Sequence, residues 1–314
     1  MSYSLKEINE AVRGDPKGFV EESDAAYNRK IEKAARQIAD NLSKSRIVLL
    51  SGPSGSGKTT TAKKIEAKLQ EMGIASHAIA MDNYFQTVDP ETVPRNREGE
   101  IDYESPFYLD MDLLNRHFRM LDRGEKIYIP KFEFARQMRS AVKSRPLQLG
   151  KDEIAIFEGI HALNDIIVGK NLNAMRVYIS ARSNVLDEEG RLAFKGTWMR
   201  LARRTVRDAK FRAWEPEITV KMWPRVRRGE KLYISPFKDN ALIQFDSSLP
   251  YEVSVVKAFA QPHFDEMHLS PDMERYEEIA HLAEAYPKFE TLDEKYVAPD
   301  SLIREFIGGG IYDD

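Results

Sequence analysis

The chain has 314 residues, a formal net charge of −3, 42% apolar and 31% charged residues, a balance typical of a soluble folded chain with material for a sizeable core. It contains no cysteine, which excludes disulfides, thiolate catalysis, zinc–thiolate sites and iron–sulfur clusters and makes the cytoplasm the expected compartment. No apolar run approaches the roughly 20 residues that span a bilayer, and the first ten residues carry Lys6, Glu7 and Glu10 where a leader would be apolar.

Residues 1–43 read as a helical N-terminal extension, with Ile31, Ala34, Ala35, Ile38 and Leu42 recurring at helical spacing among charged residues. Arg46 to Leu50 is a short apolar run of the buried parallel-strand kind. A Gly-rich turn follows, then a helical pattern from Thr59 to about Met72, stopped by Gly73. Further strands are expected at Ala75–Met81, Ile154–Phe157 and Met175–Ile179, with helices between them near 110–122 and 199–212. Strands alternating with helices imply right-handed crossovers and a parallel sheet covered on both faces. The expected organisation is an α/β domain over residues 44–260, then a mostly helical C-terminal extension over 261–314 that ends flexibly at Gly308-Gly309-Gly310.

The turn Gly52-Pro53-Ser54-Gly55-Ser56-Gly57-Lys58-Thr59 matches the P-loop pattern at every fixed position, between a buried strand and a helix. Such glycines let successive backbone N–H groups and the positive helix N-terminus face a phosphate. Lys58 would reach the β- and γ-phosphates of ATP, and Thr59 would ligate Mg²⁺. No Asn-Lys-x-Asp guanine motif and no Leu-Ser-Gly-Gly-Gln segment occurs, which argues against a GTPase and against a transporter ATPase.

Asp82-Asn83-Tyr84-Phe85 stands where the strand after the P-loop helix should end, at the sheet edge where ligands bind in such folds. A carboxylate there would accept the proton of an attacking hydroxyl, although an Asp at a strand end is also a common cap or turn residue. Between Lys195 and Lys231 twelve Lys or Arg face four Asp or Glu. Arg200, Arg204 and Arg207 fall on one helical face there, the arrangement of a mobile lid that neutralises charge developing on a transferred phosphoryl group. A solvated basic face or a nucleic-acid patch is the alternative reading, and the balanced total charge argues against nucleic acid.

Together these segments resemble the uridine kinase / phosphoribulokinase family. The P-loop is followed in register by Asp82-Asn83-Tyr84-Phe85, Glu100-Ile101-Asp102-Tyr103-Glu104, Gly124 through Phe134, Glu158-Gly159-Ile160 and Leu201 through Asp208. Gly159 through Asn164, Trp223 through Glu230 and Arg304 through Gly309 are similar to a bacterial subgroup often fused behind a threonyl-tRNA-synthetase-like region. The resemblance implies a P-loop parallel-sheet kinase acting on a small-molecule hydroxyl, foremost the 5′-hydroxyl of a nucleoside, with ATP and Mg²⁺. It implies Asp82 as base, Lys58, Arg204 and Arg207 as charge clamps, and Gly52, Ser54, Gly55, Ser56, Gly57, Lys58, Thr59, Thr60 and Arg212 around the nucleotide. Thr59 and Glu158 would hold the metal, and Asp82, Tyr84, Asp102, Phe132, Gln137, Arg139 and Arg204 the acceptor, with Asp102 on the ribose hydroxyls.

Tyr84, Phe85, Tyr103, Phe132 and Phe134 gather near that acceptor site, Phe85 and Phe134 rather as core. Phe132 and Gln137 stand where the animal uridine–cytidine kinases place a tyrosine and a histidine on the pyrimidine edge, Ala213-Trp214 stand where their lid has Gly-Arg, and Met222 replaces a lid glutamine. Trp198 stands where the subgroup has an aspartate. The base-reading half of the site is therefore rewritten, and a shifted or relaxed base preference is expected. A kinase for another alcohol, of sugar-phosphate or pantothenate type, is the rival enzyme reading. A nucleotide-dependent RNA-binding regulator is the third. The sequence leaves homo-oligomerisation open.

Overall fold

The computed structural model describes residues 2–96, 99–133, 136–169, 171 and 173–312. Its chain begins with β1 (Ser2–Ser4), α1 (Leu5–Gly14) and α2 (Pro16–Asp40), then β2 (Ile47–Ser51), α3 (Lys58–Glu71) and β3 (Ala75–Ala80). Helix α4 (Met111–Asp122) precedes the hairpin β4 (Ile127–Glu133) and β5 (Met138–Leu147), and β6 (Glu153–Glu158), α5 (Asp165–Val168) and β7 (Met175–Ser180) follow. Next come β8 (Asn184–Leu186), β9 (Leu192–Phe194), α6 (Gly196–Arg212), α7 (Pro216–Gly229) and β10 (Ile243–Asp246), and last α8 (Glu252–Glu266), α9 (Tyr276–Ala285) and α10 (Arg304–Ile307).

Five strands form the central sheet in the order β10-β7-β2-β6-β3, every neighbour pair parallel. β2 lies in the middle, which explains why Ile47-Val48-Leu49-Leu50 is apolar without alternation: both faces are covered. Val48, Leu50, Ile154, Ile156, Val177 and Ile179 pack on one side with α2, α3, α6 and α8. Ile47, Leu49, Ala155, Phe157 and Tyr178 pack on the other, against Leu114, Phe118 and Leu121 of α4 and Ile127 and Ile129 of the hairpin. The chain is thus the parallel α/β sandwich expected of the P-loop pattern.

The three expected sheet strands and the helices near 110–122 and 199–212 are present within a residue or a few of their expected ends. The N-terminal region is helical as expected but joins the main core: Val20, Tyr27, Ile31, Ala34, Ala35 and Ile38 belong to the same cluster as Val48 and Ile65. The C-terminal region departs from expectation. Among the described residues α-helix occupies only the end of α8, α9 and the single turn α10, with short 3₁₀ turns at Tyr286–Lys288 and Glu294–Tyr296; Pro271 and Pro299 stand in the stretches between, where a proline does not continue a helix. Gly308 and Gly309 form left-handed turns, φ 83° and 74°, with Gly308 buried against Lys210 and Phe211 of α6. They anchor a packed strap instead of a loose end.

Candidate active site

The P-loop leaves the C-terminal end of β2 and enters α3, and its glycines are dictated by contact as well as by backbone. Gly55 has φ 74° and a Cβ there would lie 2.7 Å from the Arg200 carbonyl oxygen. Gly57 has φ 77° and a Cβ would lie 2.3 Å from Leu302 Cδ1. The loop is held from behind: Arg203, fully buried, donates to the Gly55 carbonyl at 3.1 Å and forms a bidentate pair with Glu252. Sequence spacing did not single out Arg203, since its partners lie 148 and 49 positions away.

Lys58 Nζ lies 3.5 Å from the Pro53 carbonyl oxygen and 3.8 Å from Glu158 Oε1, at the ends of β2 and β6. Burial lifts the Glu158 carboxyl, with Asp82 and Glu305 adding to the rise and Lys58 opposing it. Asp82 follows β3 in a 3₁₀ turn, Met81–Tyr84. Its side chain is solvent-accessible, yet surrounding protein displaces much of the water around the carboxyl. That desolvation raises its pKa against the pull of Lys58 and Arg212.

Glu104 reaches the same volume from the loop before α4. Burial pushes its carboxyl up to about 7 against Arg204, and Asp102, Lys58 and Asp82 also act on it. Asp102 is held by two partners: Oδ2 accepts from the Tyr233 hydroxyl at 2.7 Å and Oδ1 from the Glu104 amide at 3.2 Å. Glu104, not assigned a role from sequence, is a carboxyl within electrostatic reach of Lys58 and Arg204. The acid-rich segment Glu100 to Glu104 was its only signal.

The arginine helix α6 is anchored in the core. Leu201, Ala202 and Val206 are buried in the core, and the helix presents its cations from the other side. Arg204 donates to Ser54 Oγ at 2.9 Å, which brings it onto the P-loop. Arg204, Arg207 and Arg212 surround the buried Asp208 at 3.4, 2.7 and 3.3 Å. Arg200 departs from the expected common face: it is buried, paired with Glu230 at 2.6 Å and stacked on Trp223. Ala213 ends α6 with φ 52°, the left-handed conformation that favours the glycine it replaces.

Several acceptor-site expectations are corrected. Tyr84 is fully buried, its hydroxyl bonded to His117 Nδ1 at 2.9 Å and its ring against Phe157, so it is core. Arg139 spends its guanidinium on Asp110 and the carbonyls of Tyr84 and Phe85, which fixes the Asp82 turn and leaves little for a ligand. Phe132 is 5% exposed and packs edge-on against Phe85 at 5.6 Å. Gln137 is exposed with φ 49°, its carbonyl taken by the Val88 amide. Tyr103 is 52% exposed and stacks on Tyr108 at 5.8 Å, leaving its outer face free of that partner. Trp198 is buried edge-on against Phe194, and Phe134 lies outside the described residues.

Thr59 is exposed at the loop mouth, whereas the amide and hydroxyl of Thr60 both donate to Glu305 Oε2, at 3.1 and 2.6 Å. The residues present fit a nucleotide phosphate chain. The loop has no room for Cβ atoms at its glycines, and the buried Ser56 hydroxyl has no hydrogen-bond partner. Glu158, half-buried and 3.8 Å from Lys58 with no closer cation pair among the described residues, also suits a divalent cation. Among the described residues no helix is long and apolar enough to cross a membrane.

Comparison with known proteins agrees with this geometry. Residues 47–253 match the family model described as Phosphoribulokinase / Uridine kinase family. A uridine kinase of Brevibacillus brevis is 29% identical over 193 residues, 61% of this chain and 80% of that one. A uridine kinase of Staphylococcus aureus is 26% identical over 196 residues, 62% and 84% respectively. The solved D-glycerate 3-kinase from Cryptococcus neoformans overlays 67% of this chain and 89% of its own at 15% identity, with a TM-score of 0.46. The chain belongs to the phosphoribulokinase / uridine kinase family of P-loop proteins and is an ATP-dependent small-molecule kinase.

Proposed function

We propose that the chain transfers the γ-phosphoryl group of ATP to the 5′-hydroxyl of a nucleoside, with Mg²⁺ held by Thr59 and Glu158. The observation that carries this reading is the convergence of Asp82, Glu104, Lys58 and Arg204 beside the P-loop mouth. ATP supplies the phosphoryl group and, with the metal, a polarised γ-phosphorus. Backbone N–H groups of Ser54 through Thr60 cradle the phosphates, with Lys58 on the β- and γ-oxygens and Arg212 beside the nucleotide. Asp82 takes the acceptor proton as the new P–O bond forms and the bond to the β–γ bridging oxygen breaks. Arg204 and Arg207 meet the charge carried by the γ-oxygens in transit.

Glu104, titrating near 7, both donates to and accepts from neighbouring ribose hydroxyls, with Asp102 and Tyr233 bracing its loop. Tyr103 offers a flat face for a base. Phe132 carries no edge-reading group, so the reading gives a relaxed or shifted base preference. Measured kcat/KM values for uridine, cytidine, adenosine, inosine, their 2′-deoxy forms and non-nucleoside alcohols test it. Ribonucleosides should lead, and removal of a ribose hydroxyl should cost about 1–3 kcal/mol by leaving a buried carboxyl unpaired. Turnover confined to a sugar phosphate or to pantothenate would replace the nucleoside reading by the other alcohol.

A further inference from the structure

Thr60 is the third residue of α3, and its amide is one of the N–H groups a helix start leaves without a partner. In a P-loop these donors face the nucleotide's phosphates. Here both the Thr60 amide and hydroxyl are given to one carboxylate oxygen of Glu305, 245 residues away. Glu305 stands in α10, on the strap that also presses Leu302 onto Gly57. The strap is tied to both sides of the site: Lys210 of α6 donates to the Ile307 carbonyl at 2.5 Å, and Lys64 of α3 pairs with Asp300 at 2.7 Å. The negative charge of Glu305 is also felt at Glu158, so it lies within electrostatic range of the phosphate mouth.

We infer that the Glu305 carboxylate occupies the anchorage of the nucleotide's α-phosphate on Thr60 and has to leave it for ATP to seat. The strap is then a built-in competitor of the nucleotide. Two anions cannot share one pair of donors, and a phosphate brought against a carboxylate is repelled as well as unbonded. A glutamate has three rotatable side-chain bonds, so the carboxylate can swing out while Leu302 and Ile307 stay packed. The strap thereby sets nucleotide affinity and ties occupancy of the α-phosphate position to α6 through Lys210 and Phe211.

The inference rests on the nucleotide lying in the P-loop, and the test separates the two. Binding of ATP, AMP, tripolyphosphate and adenosine to the full chain is measured by calorimetry for wild type, Glu305→Gln and Asp300→Asn. A glutamine can still accept from Thr60, so Glu305→Gln should fold. It should bind ATP and AMP about tenfold more tightly, a difference of ~1.4 kcal/mol, with adenosine unchanged. Asp300→Asn removes a charge from the same strap without touching Thr60 and should gain little. Equal AMP affinity in wild type and Glu305→Gln overturns the inference, as does an equal gain in Asp300→Asn. Absence of ATP and AMP binding in every form overturns the P-loop reading and the inference with it. Should Glu305→Gln fail to fold, amide exchange in the wild-type chain decides: AMP, and not adenosine, should speed exchange over residues 304–308, and no change overturns the inference.

Discussion

Asp82 and Glu104 approach one volume from different loops, and burial raises both carboxyls. Asp82 in turn makes Glu104 harder to ionise. A base has to be ionised to accept a proton, which places the acid limb of kcat/KM above the ordinary carboxylate range. Asp82→Asn should lose about 10² to 10⁴ in kcat, the usual worth of a positioned base, while ATP binding persists. Glu104→Gln should keep more turnover and leave the acid limb in place, because burial, Lys58 and Arg212 set the Asp82 carboxyl. Stability follows the same sign. A carboxyl whose folded pKa of about 7 exceeds its ordinary 4.5 binds more protons folded than unfolded, so its burden on the fold grows as pH rises between those values. Glu104→Gln should therefore gain stability over wild type at pH 8 relative to pH 5. A pH–rate profile and thermal melts check this; an acid limb that moves in Glu104→Gln would couple the two carboxyls.

At the scale of the element, α6 holds three tasks on different sides. Its apolar side packs into the core, Arg203 clamps the P-loop from behind through the Gly55 carbonyl, and Arg204 touches Ser54. Asp208, fully buried, gathers Arg204, Arg207 and Arg212 so that cations that would repel one another are held together. The helix then ends on Ala213 at φ 52°. A left-handed residue with a Cβ costs roughly 1–2 kcal/mol, part of which a glycine would return as backbone entropy of the unfolded chain. Ala213→Gly should stabilise the protein by about 0.5–1 kcal/mol, read from urea unfolding, with Arg212 left free to keep its place. Lower stability would mean that the methyl group packs usefully against a neighbour.

Across the whole molecule, the terminal regions close behind the site. Tyr27 of α2 bonds Thr61 of α3 at 2.7 Å, and Tyr251, the cap before α8, bonds both Asp24 and Ser301. The N-terminal helices and the C-terminal strap thus share the core that supports the P-loop helix. Ile31→Ala, far from any ligand, should cost about 2–5 kcal/mol and shift a single cooperative urea transition; a second transition would show that α2 unfolds on its own. The P-loop, the parallel sheet, Asp82 and the arginine stretch were legible in the sequence because each is local: a glycine pattern, a run of buried strand residues, a strand end, a helical spacing. Roles that depend on distant partners were not. Tyr84 and Arg139 look like ligand groups until burial and three hydrogen bonds commit them to the scaffold, and Arg200 shares a helical face with Arg204 until Glu230 draws it away. Glu104, Arg203 and Glu305 gained their places only from tertiary packing. Burial decides which carboxyls carry raised pKa values, and chain crossings of 148 and 245 residues decide which donors and acceptors meet.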